Sequence, residues 1–268
     1  PLYSSAASDV YKRQVLKLLA SPVALLTGGP GVGKTTIIRL VANLAAASGN
    51  DILLASPTGR AAKRLAEATG RDASTIHRLL RFDPETGGFV HGREKPLAPA
   101  VLVVDEVSML DVALARRLID AVEAPSRVIF VGDPDQLPAV GPGAVLADLL
   151  ASAAVPTARL TQVFRQDDRS LIVSNAHLVL EGREPRLPPR GVVDSDFYFF
   201  AVENGAEAIA ERVVDVVTQR IPRSFGLDWQ EDVQVLAPMY KGPAGVDALN
   251  ERLRAHLAGD AFDTQTRY

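Results

Sequence analysis

Residues 27–36, TGGPGVGKTT, restrict the fold of this chain more than any other stretch. They carry the spacing Gly-x-x-x-x-Gly-Lys-Thr from Gly28 to Thr35, between an apolar run of strand length and a segment of helical period. Glycines let the backbone curl so that several N–H groups point inward, and the amino end of the following helix adds partial positive charge. The segment therefore predicts a loop that holds the phosphates of a nucleotide, within an α/β fold.

The whole loop is expected to contact the nucleotide. The residues predicted to surround the phosphates are Gly28, Gly29, Pro30, Gly31, Val32, Gly33, Lys34, Thr35 and Thr36. The Lys34 ammonium would reach the β and γ phosphates, and the Thr35 hydroxyl would bind Mg²⁺. ATP and Mg²⁺ are the cofactors that this loop predicts.

Apolar runs of strand length recur and are separated by helical stretches. The runs lie at 23–27, 51–56, 101–106 and 127–133, with helices expected at 34–48, 59–69 and 111–123 and less regular helices near 143–152 and 168–180. Each run is nearly continuous rather than alternating, which is typical of strands buried on both faces. The order predicts a doubly wound parallel sheet, whose ligands lie beyond the carboxyl ends of the strands.

Two carboxylates follow the run VLVV. Asp105 is placed to hold Mg²⁺ through water opposite Thr35, and Glu106 to polarise an attacking water molecule. An acidic pair is also a common signal for the start of a helix. The phosphate loop favours the metal-and-base interpretation, because both strand ends face one cleft.

Two further side chains are candidates with open alternatives. Gln136, in FVGDPDQLPAVGPG, has both donor and acceptor groups and can contact a γ phosphate, or it can simply face solvent from a Gly/Pro loop. Arg165, in LTQVFRQ, can stabilise transition-state charge from a neighbouring lobe, or it can form an ordinary surface ion pair.

Composition excludes several kinds of site. The chain has no cysteine, so disulfides and thiolate zinc sites are excluded. The histidines show no metal-ligand spacing, and the net charge of −3 gives no overall basic field, although basic residues outnumber acidic ones between 56 and 81. No apolar run approaches about 20 residues, so we expect a cytoplasmic protein without a membrane partner.

The chain is expected to divide at a Pro-rich linker. Residues 15–183 would form the first α/β domain, 184–191 the linker and 192–268 the beginning of a second domain. In the second domain, strands are predicted at 196–202 and 232–238 and helices at 204–220 and 244–258. Residues 1–14 have no clear period and are predicted to be a non-native leader.

The motifs occur in a fixed order: TGGPGVGKTT, ASPTGRAAKRL, ASTIHRLL, VVDEVSMLD, GDPDQLPAVGPG, LTQVFRQ and VLAPMYKGPAGVDALN. Over roughly residues 22–258 this series resembles the RecD-like branch of superfamily 1 DNA helicases, which includes the exodeoxyribonuclease V alpha subunit. The resemblance implies a RecA-like phosphate-loop domain, the start of a second one, and ATP-driven 5′ to 3′ translocation on single-stranded DNA with separation of duplex.

The resemblance also assigns roles residue by residue. It implies that Lys34 and Thr35 contact phosphate and magnesium, that Asp105 is the magnesium carboxylate, Glu106 the catalytic base, Gln136 the γ-phosphate sensor and Arg165 the arginine finger. The residues that match the DNA-channel segments of the family are Pro57, Thr58, Arg60, Thr75 and His77.

Residues 81–97, RFDPETGGFVHGREKPL, interrupt the predicted sheet between two of its strands. They read as a β-hairpin with Phe82 and Phe89 on its strands and Thr86, Gly87 and Gly88 at its tip. In the resembled family a hairpin at this place is a wedge at the duplex fork. The alternative is a surface loop without a role in unwinding.

Some family features are missing before Tyr268, including a further DNA-contact segment and a second arginine. Gln14 lies near the place of an adenine-reading glutamine. We therefore expect part of a longer protein, able to bind MgATP without unwinding DNA. The implied partners are single-stranded DNA, duplex forks and subunits of a helicase–nuclease complex. A Pif-type or relaxase-associated helicase is the near alternative, and a non-motor ATP-binding switch subunit is the alternative from another class.

Overall fold

The computed structural model describes residues 5–161, 170–188 and 195–265. The chain forms two compact units, one of residues 1–169 with 180–183 and one of residues 170–179 with 184–268.

A six-stranded parallel sheet forms the centre of the first unit. In spatial order its strands are β3 (Ala73–Thr75), β2 (Ile52–Ser56), β6 (Val101–Val104), β7 (Arg127–Gly132), β1 (Val23–Thr27) and β8 (Thr157–Arg159). All neighbouring pairs in it are parallel. The order brings the carboxyl ends of β6, β7 and β1 together in the middle of one edge.

Helices cover both faces of this sheet. They are α1 (Ser5–Leu19), α2 (Lys34–Ala47), α3 (Gly59–Thr69), α4 (Ile76–Leu79), α5 (Val112–Asp120) and α6 (Val145–Ser152). One face packs against α1, α2 and α3, for example through Leu18 and Ile37. The other packs against α4, α5 and α6, for example through Ile76 and Leu118. Burial of each such side chain stabilises the fold by about 1.5–3 kcal/mol. The parallel sheet with helices on both faces confirms the predicted doubly wound fold.

The four predicted strands of this unit are confirmed, with small differences at their ends. The first helix, however, begins at Ser5, within the segment that was predicted to lack a period. Its later turns bury Val15 and Leu18 against the sheet, and this packing gives the helix a reason to form. That residues 1–14 are a non-native leader stays a prediction.

The hairpin predicted within residues 81–97 is present as β4 (Phe82–Asp83) and β5 (Gly88–Phe89), which pair antiparallel. The Asp83 carboxylate accepts hydrogen bonds from the Glu85 N–H and the Thr86 hydroxyl, each at 2.9 Å. These bonds, the Glu85 N–H first, hold the pKa of Asp83 below its usual value. Gly87 takes the left-handed φ of 64° that closes the turn.

The limb that follows the hairpin is tied to α5. The Arg93 guanidinium donates to Asp120 from Nε at 3.0 Å and from Nη2 at 2.7 Å. The Leu97 N–H donates to the Ala121 carbonyl oxygen at 2.6 Å. Because the Arg93 side chain is largely exposed, we expect this ion pair to contribute little to stability.

The described part of the second unit is helical. Its elements are α7 (Leu171–Leu180), α8 (Gly205–Asp215), a π-helical segment (Val216–Arg220), α9 (Ile221–Phe225) and α10 (Val246–Gln265). The strands predicted at 196–202 and 232–238 are wrong, since neither run pairs with another strand among the described residues. A strand needs a partner for its N–H and C=O groups. Without one, Phe199 and Leu236 stay 63% and 85% exposed.

Candidate nucleotide-binding site

The phosphate loop joins β1 directly to α2. Gly28 has no room for a side chain, because a Cβ there would come within 2.6 Å of the Leu160 carbonyl oxygen and 2.7 Å of the Val32 side chain. Gly33, at φ 95°, is the residue before α2, and it has no side chain that could cap the first N–H groups of this helix. Uncapped N–H groups at a helix start fit the oxygens of a phosphate.

Lys34 is the first residue of α2, and its ammonium turns back over the loop. It donates to the carbonyl oxygens of Gly28 at 2.5 Å and Gly29 at 2.8 Å. The positive charge is thus held where phosphates would bind. Exchanging these two carbonyls for phosphate oxygens would give it stronger bonds, because both donor and acceptor would then be charged.

Asp105 lies just beyond β6, where its N–H continues the sheet by donating to the Ala55 carbonyl oxygen at 2.9 Å. Burial raises the pKa of this carboxyl to about 6, and the neighbouring Glu106 charge adds to the rise. The Glu106 N–H, which donates to Oδ1 at 2.9 Å, and the Lys34 ammonium oppose that rise. The effect of Lys34 means that the two predicted groups share one electrostatic site.

Glu106 has an unusual backbone conformation. Its φ of 57° and ψ of 41° lie in the left-handed region, which costs a non-glycine residue about 1–3 kcal/mol. It precedes a 3₁₀ turn formed by Val107–Met109. Strain of this kind is concentrated at functional sites because the surrounding structure has to impose it.

Gln136 lies in the loop after β7 and is held by Asp133. Its N–H donates to the Asp133 carbonyl oxygen at 3.3 Å, and its side-chain amide lies 3.5 Å from Asp133 Oδ2. The other oxygen, Oδ1, accepts the Asp135 N–H at 3.1 Å. Asp133 itself is only 2% exposed. We did not predict a role for this carboxylate, although a charged residue directly after a buried strand was a usable signal.

The residues predicted to face DNA lie at or just beyond the carboxyl ends of β2 and β3, which are neighbours in the sheet. Thr58 caps α3 by accepting the Ala61 N–H at 3.3 Å, and Thr75 caps α4 by accepting the Arg78 N–H at 3.2 Å. Pro57 precedes the first cap, and Arg60 lies in the first turn of α3. The sheet thus brings both segments to the same edge as the phosphate loop.

His77, the last of these predicted residues, faces the hairpin. Its ring centroid lies 5.7 Å from that of Phe82 and 5.7 Å from that of Phe89, whose own centroids are 5.2 Å apart. The three rings join α4 to the base of the hairpin. Arg165 lies outside the described residues, so its predicted role stays a prediction.

The sequence predicted no membrane partner, and the described helices can be compared with the helix that a membrane span requires. In the described ranges, no helix combines the length and apolar character that a bilayer span requires.

The loop, the carboxylate across from it and the strand order define a phosphate-loop nucleotide-binding domain. Residues 10–192 match the model of the AAA domain family, and the chain belongs to that family.

Sequence relatives agree with the resemblance expected from the motifs, which is confirmed. The chain is 42% identical over 239 residues to the ATP-dependent RecD2 DNA helicase of Deinococcus radiodurans, covering 89% of this chain and 31% of the relative. It is 34% identical over 272 residues to the RecBCD enzyme subunit RecD of Mycolicibacterium smegmatis, covering 89% and 48%. The match to a solved structure of the Pif1 helicase from Candida albicans covers 80% of this chain and 55% of the Pif1 chain, at a TM-score of 0.49 and 20% sequence identity. The chain thus spans 31% and 48% of the lengths of these two sequence relatives.

Proposed function

We propose that this chain carries the nucleotide-binding part of an ATP-dependent DNA helicase of RecD type, which hydrolyses ATP with Mg²⁺, moves 5′ to 3′ along single-stranded DNA and separates duplex. The observation that carries the proposal is the loop after β1, where Lys34 turns back over Gly28 and Gly29 and the start of α2 has no side-chain cap, on the same sheet edge as Asp105 beyond β6. The name of one relative, the ATP-dependent RecD2 DNA helicase, supports DNA as the polymer along which it moves.

The residues present fit a nucleoside triphosphate with Mg²⁺. Thr35 and Asp105 would hold the cation, which when bound neutralises charge on the β and γ phosphates. Lys34 and the N–H groups at the start of α2 would hold the phosphates. Glu106 would orient and polarise the attacking water molecule, while Gln136 would contact the γ phosphate.

Single-stranded DNA would lie across the edge formed by the ends of β2 and β3. Hydroxyls, N–H groups at the start of α3 and the Arg60 guanidinium are groups that bind phosphates without reading sequence. The excess of basic residues between 56 and 81 gives this segment the required sign of charge. Duplex forks, and partner subunits such as the name RecBCD suggests, belong to the same proposal.

Stimulation of ATP hydrolysis by DNA tests the proposed function. In the longest natural form of the protein, single-stranded DNA is expected to raise the steady-state rate of MgATP hydrolysis, whereas blunt duplex should have a smaller effect. A protein that binds MgATP but hydrolyses it at the same slow rate with and without DNA would favour the ATP-dependent switch subunit.

Removal of the hairpin is expected to separate translocation from strand separation. In the longest natural form of the protein, deleting residues 84–90 takes away the turn and Phe89 but removes no residue of the phosphate loop or of the six-stranded sheet. DNA-stimulated ATP hydrolysis should therefore persist while unwinding of a forked duplex falls to background. Opening one base-pair step costs only about 1.4 kcal/mol in lost stacking. We therefore expect the wedge to keep the separated strands apart rather than to supply energy.

A conservative change provides the control for that deletion. Thr86→Ser keeps the hydroxyl that donates to Asp83 and should unwind DNA at the unmodified rate. Equal loss of ATP hydrolysis and unwinding in the deletion variant would contradict a wedge role and favour a structural role for the hairpin.

A further inference from the structure

Ser108 is a buried polar residue that the proposed mechanism does not use. It lies in the 3₁₀ turn Val107–Met109, close after Glu106, and is 8% exposed. Its hydroxyl has no hydrogen-bond partner among the residues that the structure describes. A buried, unpaired polar group costs about 1–3 kcal/mol, so we expect this hydroxyl to find a partner in another state of the protein.

A small cavity of about 40 Å³ connects Ser108 to the Gln136 loop. The residues that line it are Ser108, Asp133, Pro134, Gln136, Pro138, Ala144, Leu146 and Ala147. The polar residues that line this space are therefore Ser108, whose hydroxyl has no partner among the described residues, the buried Asp133 and the predicted phosphate sensor Gln136. The turn also lies close to the end of β7, where the Gln136 loop begins, since a Cβ on Gly132 would lie 3.3 Å from the Ser108 nitrogen.

The bond between Gln136 and Asp133 is weak enough to exchange. At 3.5 Å, the distance between the Gln136 amide nitrogen and Asp133 Oδ2 is beyond the usual range for a hydrogen bond. A carboxylate that is only 2% exposed cannot lose a donor to water cheaply. If the Gln136 amide turns toward a γ phosphate, the Asp135 N–H stays on Oδ1, but Oδ2 of this buried carboxylate loses its donor among the described residues.

We propose that Ser108 is the replacement donor, a positioning residue whose hydroxyl donates to Asp133 when Gln136 leaves it for the γ phosphate. This inference rests on the proposed role of Gln136. The exchange would fix the turn that carries Glu106 to the loop that detects the phosphate. The catalytic base would thus be held in position only when a triphosphate is bound.

Thermal unfolding and nucleotide affinity of Ser108→Ala test this inference. Without nucleotide, the midpoint of unfolding should be unchanged or higher, because the removed hydroxyl has no partner in that state. With a slowly hydrolysed ATP analogue and Mg²⁺, the affinity should fall by about 10- to 150-fold, the range that corresponds to one hydrogen bond to a charged group. The affinity for MgADP should not change, because ADP offers no γ phosphate to Gln136.

Three comparisons make this result specific. Ser108→Thr keeps the hydroxyl, so the preference for the ATP analogue over ADP should be retained. Thr69→Val removes a buried hydroxyl that donates to the Leu65 carbonyl oxygen at 2.7 Å, so it should lower the unfolding midpoint without changing that preference. In a Gln136→Ala background, Ser108→Ala should have no further effect.

The outcomes separate the inference from the proposed function. An unchanged nucleotide preference in Ser108→Ala, or effects of Ser108→Ala and Gln136→Ala that simply add, would overturn the donor exchange while leaving the ATPase proposal intact. Failure of the unmodified protein to bind either nucleotide would overturn the proposed function, and this inference with it.

Discussion

The Glu106→Gln variant is expected to bind MgATP as the unmodified protein does but to hydrolyse it about 10²–10⁴ times more slowly. Glutamine keeps the size of the side chain and can follow the same left-handed backbone, at the same cost in strain. It cannot accept a proton from the attacking water molecule. Single-turnover hydrolysis and equilibrium binding, measured on the same protein, separate the two effects.

Two control variants define what this result means. Glu123→Gln removes an exposed carboxylate after α5 and should change neither binding nor rate. Asp105→Asn should instead lower the affinity for MgATP, because Asp105 is proposed to hold the cation rather than to act on water. If Glu106→Gln hydrolysed ATP at the unmodified rate, another carboxylate, such as the buried Asp133, would have to be the base.

The central sheet was predictable because its strands are buried on both faces. Runs such as VLVV have no polar position to interrupt them, and that pattern is hard to produce in any other context. The edge strands β3 and β8 were not predicted, because three residues are too few to show a period. Their existence depends on neighbours in the sheet rather than on their own sequences.

The candidate site was predictable where a spacing implies a backbone shape. Gly28 and Gly33 had to be glycines for the loop to curl, and their contacts and dihedral angles agree with that reason. Asp133 and Ser108 follow no such rule. Their interest comes from burial and from a shared cavity, which only the packing of the loop after β7 against the 3₁₀ turn creates.

In the second unit, the intrinsic strand preference of the residues led to wrong strand predictions, and the reason is physical. Runs such as DFYFFAV have strong intrinsic preference for strands, but preference for a strand depends on neighbouring strands and on burial. Among the described residues, this run has no neighbouring strand. The centroid of the Phe200 ring instead lies 5.9 Å from the guanidinium carbon of Arg212 and 5.9 Å from that of Arg220. Contacts with helices therefore take the place of the predicted sheet pairing.

Replacing Lys34 with methionine is expected to have the other large effect. Methionine has a similar length but no charge, so the variant loses the ammonium that would neutralise the β and γ phosphates. Loss of one charge-assisted hydrogen bond corresponds to about 1.5–3 kcal/mol, or about 10- to 150-fold in affinity for MgATP. The rate of hydrolysis should fall further, by about 10²–10³, because charge builds up on the phosphate oxygens in the transition state.

The same substitution has a consequence in the absence of nucleotide, and this makes the prediction specific to the observed loop. The Lys34 ammonium holds the Gly28 and Gly29 carbonyl oxygens, so its loss should speed amide hydrogen exchange across residues 28–33. Lys17→Met is the matched control, because the Lys17 ammonium also donates to a backbone carbonyl, that of Thr157 at 2.6 Å, but at the start of β8. It should leave both nucleotide affinity and exchange in the loop unchanged. Unaltered MgATP affinity in Lys34→Met would contradict the proposed site at its centre, since no other lysine or arginine of the described residues lies within residues 27–36.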